Sequence, residues 1–441
     1  MKRLATLVLF VVAACREEPE VRPQWTVTFR TDAPVPLVGD RLLVEVIGAG
    51  CDSCARLIDA STADAWPVSF GIAASSNALR VRARLYRARA VTRNGAPEPL
   101  ATVDVVTALP AAPGPVAIPL AMTCFGLAAT DAESCDPGSG TLAPIVVAAT
   151  GTGDPLLSPG SWSDATSRPC ASPAPSGMAC VAGGLFFFGD ADPGAEGREQ
   201  LVRVSSFFAD HDELSVGEAR ALLATTALTK TPQRRTNDKA ATRACTYLGN
   251  DDRANDALPL NCVSRELAVA LCGAVGKRLL TEAEFAYASV NGGQGTRFSW
   301  GEDENICAHA VVARDATFNE LTERTSMAVE CRSQDGLTLP FGPAGRDVPS
   351  RDESLAFAGL RHLGGNLAEW VEDRFAELDG PCWKGRPVLV DPVCRTGLSN
   401  AMRGGAWSFP AYTASARFRA NGAASAPSYV GVRCAKDAFP R

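Results

Sequence analysis

The chain has 441 residues and a formal net charge of −6, with 43 basic and 49 acidic residues mixed along its length. That length allows two or three domains, and the absence of a basic face excludes a nucleic-acid partner. Fifteen cysteines against three histidines favour disulfides over histidine-based metal sites.

The first residues carry a targeting pattern. Lys2 and Arg3 precede an apolar run from Leu4 to Ala14, too short for a transmembrane helix, which needs about 20 apolar residues. A basic start, a short apolar core and small residues at its end are the layout of a secretory signal peptide, here residues 1–14. Val12-Ala13-Ala14-Cys15 looks like a bacterial lipobox, in which the cysteine is diacylated and becomes the new N-terminus. The plainer alternative is a signal peptide that merely ends beside a cysteine. Residues 15–23 form a tether, and Arg16 in place of an aspartate directs sorting to the outer membrane. No later apolar run is long enough to span, so the sequence places the protein on a membrane of the cell envelope.

Setting Cys15 aside leaves an even number of cysteines, which in an exported chain reads as a set of disulfides. Cys51-Asp-Ser-Cys54 is a C-x-x-C; with no βαβ unit around it, a structural bridge is favoured over redox chemistry.

From Gln24 to Cys124 apolar and polar residues alternate, as in Trp25/Val27/Phe29, Leu42/Val44/Val46 and Val116/Ile118/Leu120/Met122. Turn signals at Asn94-Gly95 and Pro110 to Pro115 separate the runs, and the pattern predicts a β-sandwich over 24–124. Leu79 to Leu85 alternates apolar residues with Arg80, Arg82 and Arg84, the period of a half-buried strand whose arginines face solvent or an anionic surface. Residues 125–177 shift to Gly, Pro, Ser and Ala and read as a linker, pinned by neighbour pairs Cys124/Cys135 and Cys170/Cys180.

From Met178 the character changes again. Ser215-Val-Gly-Glu218 and Thr281-Glu-Ala-Glu284 are capping boxes, in which a hydroxyl and a carboxylate satisfy free N–H groups at a helix start. They open helices over Ala219 to Leu223 and Glu282 to Ala288. Between them Val263 to Cys272 is an apolar-striped helix with Ser264 as N-cap and Gly276 near its end.

Five landmarks stand in order here: Gly276-Lys-Arg-Leu-Leu-Thr-Glu-Ala-Glu-Phe-Ala-Tyr287, Phe298-Ser-Trp-Gly301, Gly359 to Trp370, Arg403-Gly-Gly-Ala-Trp407 and Gly431-Val-Arg-Cys434. Together they resemble the formylglycine-generating enzyme (sulfatase-modifying factor) family over residues 178–436. The fold class expected is therefore multidomain: an N-terminal all-β sandwich, then a C-terminal α+β domain of the C-type-lectin-like kind, rich in irregular structure. The resemblance implies a disulfide between Cys272 and Cys434. A second bridge found in some members falls on Ser289 and Ala420, where both halves are missing. Remaining neighbours suggest Cys245/Cys262, Cys307/Cys331 and Cys382/Cys394.

The family's oxidases hold one Cu(I) on two thiolates, soft ligands that select a soft ion. The resemblance puts those thiolates at Phe409 and at Ala414 or Ser415, and the serine of the Arg-Gly-Gly-Ser motif at Ala406. No cysteine lies between Cys394 and Cys434, so the copper chemistry has no ligands. A branch using iron and a histidine cluster is disfavoured by the scattered His211, His309 and His362. A family calcium site maps onto Glu369, with His362 where an Asp or Asn is expected; imidazole is a poor calcium ligand. The expectation is a non-catalytic binding module, a pseudoenzyme, with no resident cofactor. It would take a protein, peptide or glycan ligand in a groove around Trp407, Phe409 and Arg403. The alternative is a sulfatase-modifying or other oxidoreductase using a different metal site on the same scaffold. For the anchor, Cys15→Ser is expected to abolish incorporation of labelled palmitate and to move the protein from the detergent to the aqueous phase on Triton X-114 partitioning; retained label would contradict it.

Overall fold

The computed structural model describes residues 22–439 except 49, 51–53, 190–198, 237–241, 315–330, 332, 335–336, 339–341, 346–350, 385–386 and 423–425. The signal peptide and Cys15 lie outside the described residues, as does Cys51, whose neighbour Cys54 is disulfide-bonded. No helix among the described residues is long and apolar enough to cross a membrane.

Seven strands open the chain: β1 Gln24–Thr31, β2 Arg41–Ile47, β3 Ala55–Asp59, β4 Val68–Ala73, β5 Arg80–Tyr86, β6 Thr102–Ala108 and β7 Pro115–Leu120. After them come β8 Glu133–Asp136, β9 Thr141–Pro144 and β10 Ala149–Thr150. One sheet runs β10-β7-β1-β4 and the other β3-β2-β5-β6. Strand side chains alternate between faces, so Val27 and Phe29, Leu42 and Val44, Val81 and Leu85, and Val116 and Ile118 meet in one core between the sheets. On the outer face of β5, Arg82 pairs with Asp104 at 2.6 Å and Arg84 with Glu45. Those arginines form cross-strand ion pairs, not an anion-binding strip.

The segment 125–177 departs from the expected linker. Its hairpin β8–β9 is tied back by Cys124–Cys135, and β10 pairs with β7 through Ala149 and Thr150. Phe125 is in the sandwich core, and Leu127, Trp162 and Ala165 pack against it. Weak periodicity marks irregular backbone, which a few well-placed apolar side chains can still fasten down.

The rest of the chain is α+β. Its strands are β11 Met178–Val181, β12 Gly184–Gly189, β13 Glu199–Val204, β14 Phe207–Asp210 and β15 Arg278–Leu279. They continue as β16 Ser333–Gln334, β17 Leu337–Thr338, β18 Ala368–Phe375, β19 Val388–Val390, β20 Ser399–Arg403, β21 Arg419–Gly422, β22 Val430–Gly431 and β23 Cys434–Asp437. The helices are α1 Val216–Thr225, α2 Arg265–Ala274, α3 Glu282–Ser289 and the single turn α4 Ile306–His309. Both capping boxes are formed, Ser215 with Glu218 and Thr281 with Glu284, and Ser264 caps α2. The sheets run β11-β14-β23-β15, β12-β13-β19 and β21-β20-β18-β22.

The β12–β13 hairpin belongs to two cores at once. Leu185, Phe187 and Leu201 join the sandwich core, while Phe186, Phe188, Val202 and Val204 join the C-terminal one. Arg87 from the sandwich lies over the Phe187 ring at 3.2 Å and pairs with Glu199 at 2.5 Å. Because one hairpin fills both cores, Phe187→Ala is expected to cost about 3–5 kcal/mol. It should lower the stability of the whole molecule in one urea transition followed by tryptophan fluorescence. Two separate transitions, only one of them shifted, would contradict the shared core.

Candidate functional site

The window that the resemblance assigns to copper follows β20. Arg403 is buried, donating from Nη2 to the Ala416 carbonyl at 2.8 Å, with Nη1 3.6 Å from Glu282. The backbone must then pass close to its neighbours. A Cβ on Gly405 would stand 2.4 Å from the Gly364 carbonyl oxygen, and Gly404 has φ +82°, which glycine adopts without a steric penalty. Trp407 is buried with its indole N–H donating to Ser428 at 3.3 Å. Phe409 is wholly buried, its ring 4.8 Å from that of Tyr429 and 6.2 Å from that of Phe418. Ala414 is also wholly buried, in a small core with Phe298 and Trp300.

Arg403, Trp407 and Phe409 therefore do not line an open groove. The structure buries each of the three in different surroundings: Phe409 in one apolar core, Trp407 in a smaller one with Val311 and Leu367, and Arg403 beside Glu282. Nor do the residues fit a thiolate-bound metal: every described cysteine is in a disulfide, and the two window positions hold a phenyl ring and a methyl group or hydroxyl.

What opens to solvent at this place is a cleft of about 580 Å³. Tyr412, Ser415, Arg417 and Phe418 line it from the window side, and Glu377 and Asp379 from the turn after β18. Tyr412 is 64% exposed and packs its ring edgewise on Phe418, so the rings of Phe409, Phe418 and Tyr412 step outward from core to surface. Arg419 forms the floor. Its guanidinium donates to Glu282 at 2.6 and 3.1 Å and to the Ala376 carbonyl at 2.9 Å, and lies 5.1 Å from the Phe375 ring centroid. Glu282 is wholly buried between Arg419 and Arg403. Beside it Asp373, also buried, accepts from the backbone N–H groups of Glu282 and Cys394 at 2.7 and 2.6 Å. Burial, reinforced by the Glu282 charge, pushes the Asp373 carboxyl up to about 7.

The calcium position is built differently. Both oxygens of Glu369 accept from Arg433, at 3.0 and 3.1 Å from Nε and 2.8 Å from Nη2. Arg433 also donates to the carbonyls of Asp210, His211 and Arg361 at 2.9, 2.7 and 2.7 Å. Glu213, wholly enclosed, accepts from Asn366 at 3.0 Å. Burial raises the carboxyls of both Glu213 and Glu369, and the Arg433 charge pulls them back down. A divalent cation at Glu369 would face that guanidinium, so these residues do not fit calcium. His362 sits close by with φ +60°, its backbone N–H donating to Asp352 at 2.8 Å. Burial pulls its imidazole down to about 4, against the opposing pull of Asp352.

Cys434, next to Arg433, is bonded to Cys272 across 162 residues with an S–S distance of 1.99 Å. The five neighbour pairs of cysteines are bonded as well. Sequence reasoning did not single out Arg433, Arg419, Glu282 or Tyr412. For Arg433 a signal existed in its place beside Cys434, whereas nothing local marks the others.

Residues 164–438 match the family of the sulfatase-modifying factor enzyme 1-like domain. The chain belongs to this family. Among relatives, the formylglycine-generating enzyme of Thermomonospora curvata is 27% identical over 306 residues, covering 59% of this chain and 93% of that enzyme. Among solved structures, PvdO from Pseudomonas aeruginosa is similar at 19% identity and a TM-score of 0.42, covering 59% of this chain and 94% of that one. Treponema denticola variable protein 1 is similar at 16% identity and a TM-score of 0.40, with the same two coverages.

One consequence of this family member's buried imidazole is measurable. An imidazole held at about 4 in the folded state, against about 6.5 unfolded, contributes stability that is complete above pH 6.5 and lost as pH falls toward 4. The loss amounts to about 2–3 kcal/mol, with Asp352, Asp212, Arg361 and Arg433 as the charges facing the ring. His362→Asn, which tolerates the positive φ, is expected to flatten this acid limb in urea titrations between pH 7 and pH 4.5. An unchanged slope would assign the acid limb to other groups.

Proposed function

We propose that this chain is a lipid-anchored protein of the cell envelope, held at the outer membrane through Cys15. On this reading its family domain, with the C-type-lectin-like scaffold, is a non-catalytic binding module for a peptide, protein or glycan. The observation that carries the proposal is the copper window itself: Phe409 is wholly buried on the first thiolate position, the second falls on Ala414 or Ser415, neither of them a thiolate, and a cleft of about 580 Å³ stays open beside them. Catalysis by thiolate-bound copper needs two free thiolates on a soft metal, and the described cysteines offer none. Recognition needs only shape, an exposed aromatic and convergent polar groups, which Tyr412, Ser415 and the Glu377–Asp379 turn supply.

The test is chemical. The processed protein is loaded with Cu(I) and incubated with a peptide carrying Cys-x-Pro-x-Arg, beside an active family member, and the peptide mass is measured. The expected result is no conversion of cysteine to formylglycine by this chain. Conversion would overturn the reading and establish an oxidoreductase with a different metal site on the same scaffold.

A further inference from the structure

We infer that the N-terminal sandwich carries a binding site of its own, a cleft at its edge that takes the alkyl chain of a cationic amphiphile. The cleft has a volume of about 400 Å³, within the range of small-molecule sites. It lies where β6, the last strand of one sheet, meets the β7–β10 end of the other. Val105, Val106 and Ile118 line it from these strands, and Pro144, Val146 and Val147 from the end of β9 and the segment after it. None of these residues belongs to the matched family domain at 164–438, so the inference is independent of how that domain functions.

The chemistry of the walls selects the chain. Among the described residues no aromatic ring and no basic side chain lines the cleft. Its polar side chains already have partners: Ser134 Oγ accepts from the Val106 N–H at 2.8 Å, and the Thr107 hydroxyl donates to the Val146 carbonyl at 2.9 Å. The sheet edges beside it are covered as well. β10 pairs along β7 through Ala149 and Thr150, and the Ala108 N–H donates to the Val146 carbonyl at 3.0 Å. A peptide strand or a sugar would bury polar groups there without partners, which is unfavourable; an alkyl chain has none to bury. At the rim Val146 and Val147 are 69% and 59% exposed, so apolar surface continues outward from the cleft, as it does at sites of association.

Charge selects the head group. Residues 94–167 contain no lysine or arginine. Asp136 is the one charged side chain lining the cleft among the described residues. The Ser139 hydroxyl and the Gly138 N–H hold its carboxyl below the ordinary value, so it is ionised at neutral pH. Glu133, exposed on the same hairpin, adds to the negative potential. On the adjoining strand β5, Arg82 is occupied by Asp104 and the Ala129 carbonyl, and Arg80 by the Asp131 carbonyl. An anionic head would meet the Asp136 carboxylate, whereas an ammonium would pair with it.

The test uses residues 15–441 with Cys15→Ser, purified without detergent so that no other alkyl chain enters the cleft. Hexylamine, octylamine, decylamine and dodecylamine are titrated by calorimetry, with dodecanoate and dodecyl maltoside as the anionic and uncharged comparisons. Saturable binding at a single site is expected, its affinity rising about fourfold for each added methylene until the cleft is filled. Dodecanoate should bind about fivefold more weakly than dodecylamine. Asp136→Asn, which keeps the acceptor for the turn, should lower dodecylamine affinity about threefold and leave dodecyl maltoside unchanged. Ala143→Trp, which fills the cleft, should abolish binding; Val147→Asn, at the exposed rim, should weaken it with no change in melting temperature. Affinity independent of chain length, dodecanoate binding as tightly as dodecylamine, undiminished binding by both cleft variants, or no saturable binding would each overturn the proposal. So would a chain that sediments as a dimer and becomes monomeric on Val147→Asn, which would assign the cleft to a second copy.

Discussion

A guanidinium can be buried only where each N–H finds an acceptor and the charge meets a counter-charge. Arg433 satisfies both conditions, and the arrangement around it depends on this. Its donors reach carbonyls at 210, 211 and 361 and the carboxylate of Glu369 on β18. The residue after it is held to α2 by the Cys272–Cys434 bond. Stretches far apart in sequence are thereby fixed at one point, and the carboxylate that relatives are expected to offer to calcium is held by a cation of the chain itself. A fixed cation needs no ion from the medium, and it cannot leave.

The second buried ion pair, Glu282 with Arg419 and Arg403, shapes the surface above it. It holds Arg419 flat under the cleft and joins α3 to β20 and β21. With an aromatic ring at 409 and no thiolate at 414 or 415, the stretch that the resemblance assigns to copper braces Phe418 and, through it, Tyr412. Packing of Phe409, Phe418 and Tyr412 against one another shapes the surface at this loop.

Local signals were legible in the sequence. Ser215-x-x-Glu218 and Thr281-x-x-Glu284 involve partners three residues apart, so the pattern and the contact are nearly the same thing. Strands β1, β2, β5 and β7 were readable because one face of each is buried and the alternation survives. Neighbouring cysteines paired because a short loop brings them together cheaply in entropy. Apart from Cys272–Cys434, which the resemblance implied, contacts at long sequence separation were not legible: Arg419 meets Glu282 across 137 positions and Arg361 meets Asp212 across 149. The groove expected around Trp407 and Phe409 failed for a related reason. Large aromatic residues suit cores and binding faces equally, and only the surrounding packing says which. The segment 125–177 misled in the opposite direction, since composition records backbone freedom and not whether Trp162 finds a core.

The β12–β13 hairpin, with Phe186 and Phe188 facing one way and Leu185 and Phe187 the other, also bears on how such a chain can change over generations. A module joined by a solvated linker can be exchanged by recombination at the linker. Here any crossover ahead of residue 184 would hand the incoming partner a strand whose outer side chains were shaped for another core. Each of these four positions answers to its own set of neighbours, so drift along the strand is constrained from both faces. Replacing the N-terminal half would therefore strip Phe187 and Leu201 of the apolar neighbours that now cover them, unless the new half brought a surface fitted to both.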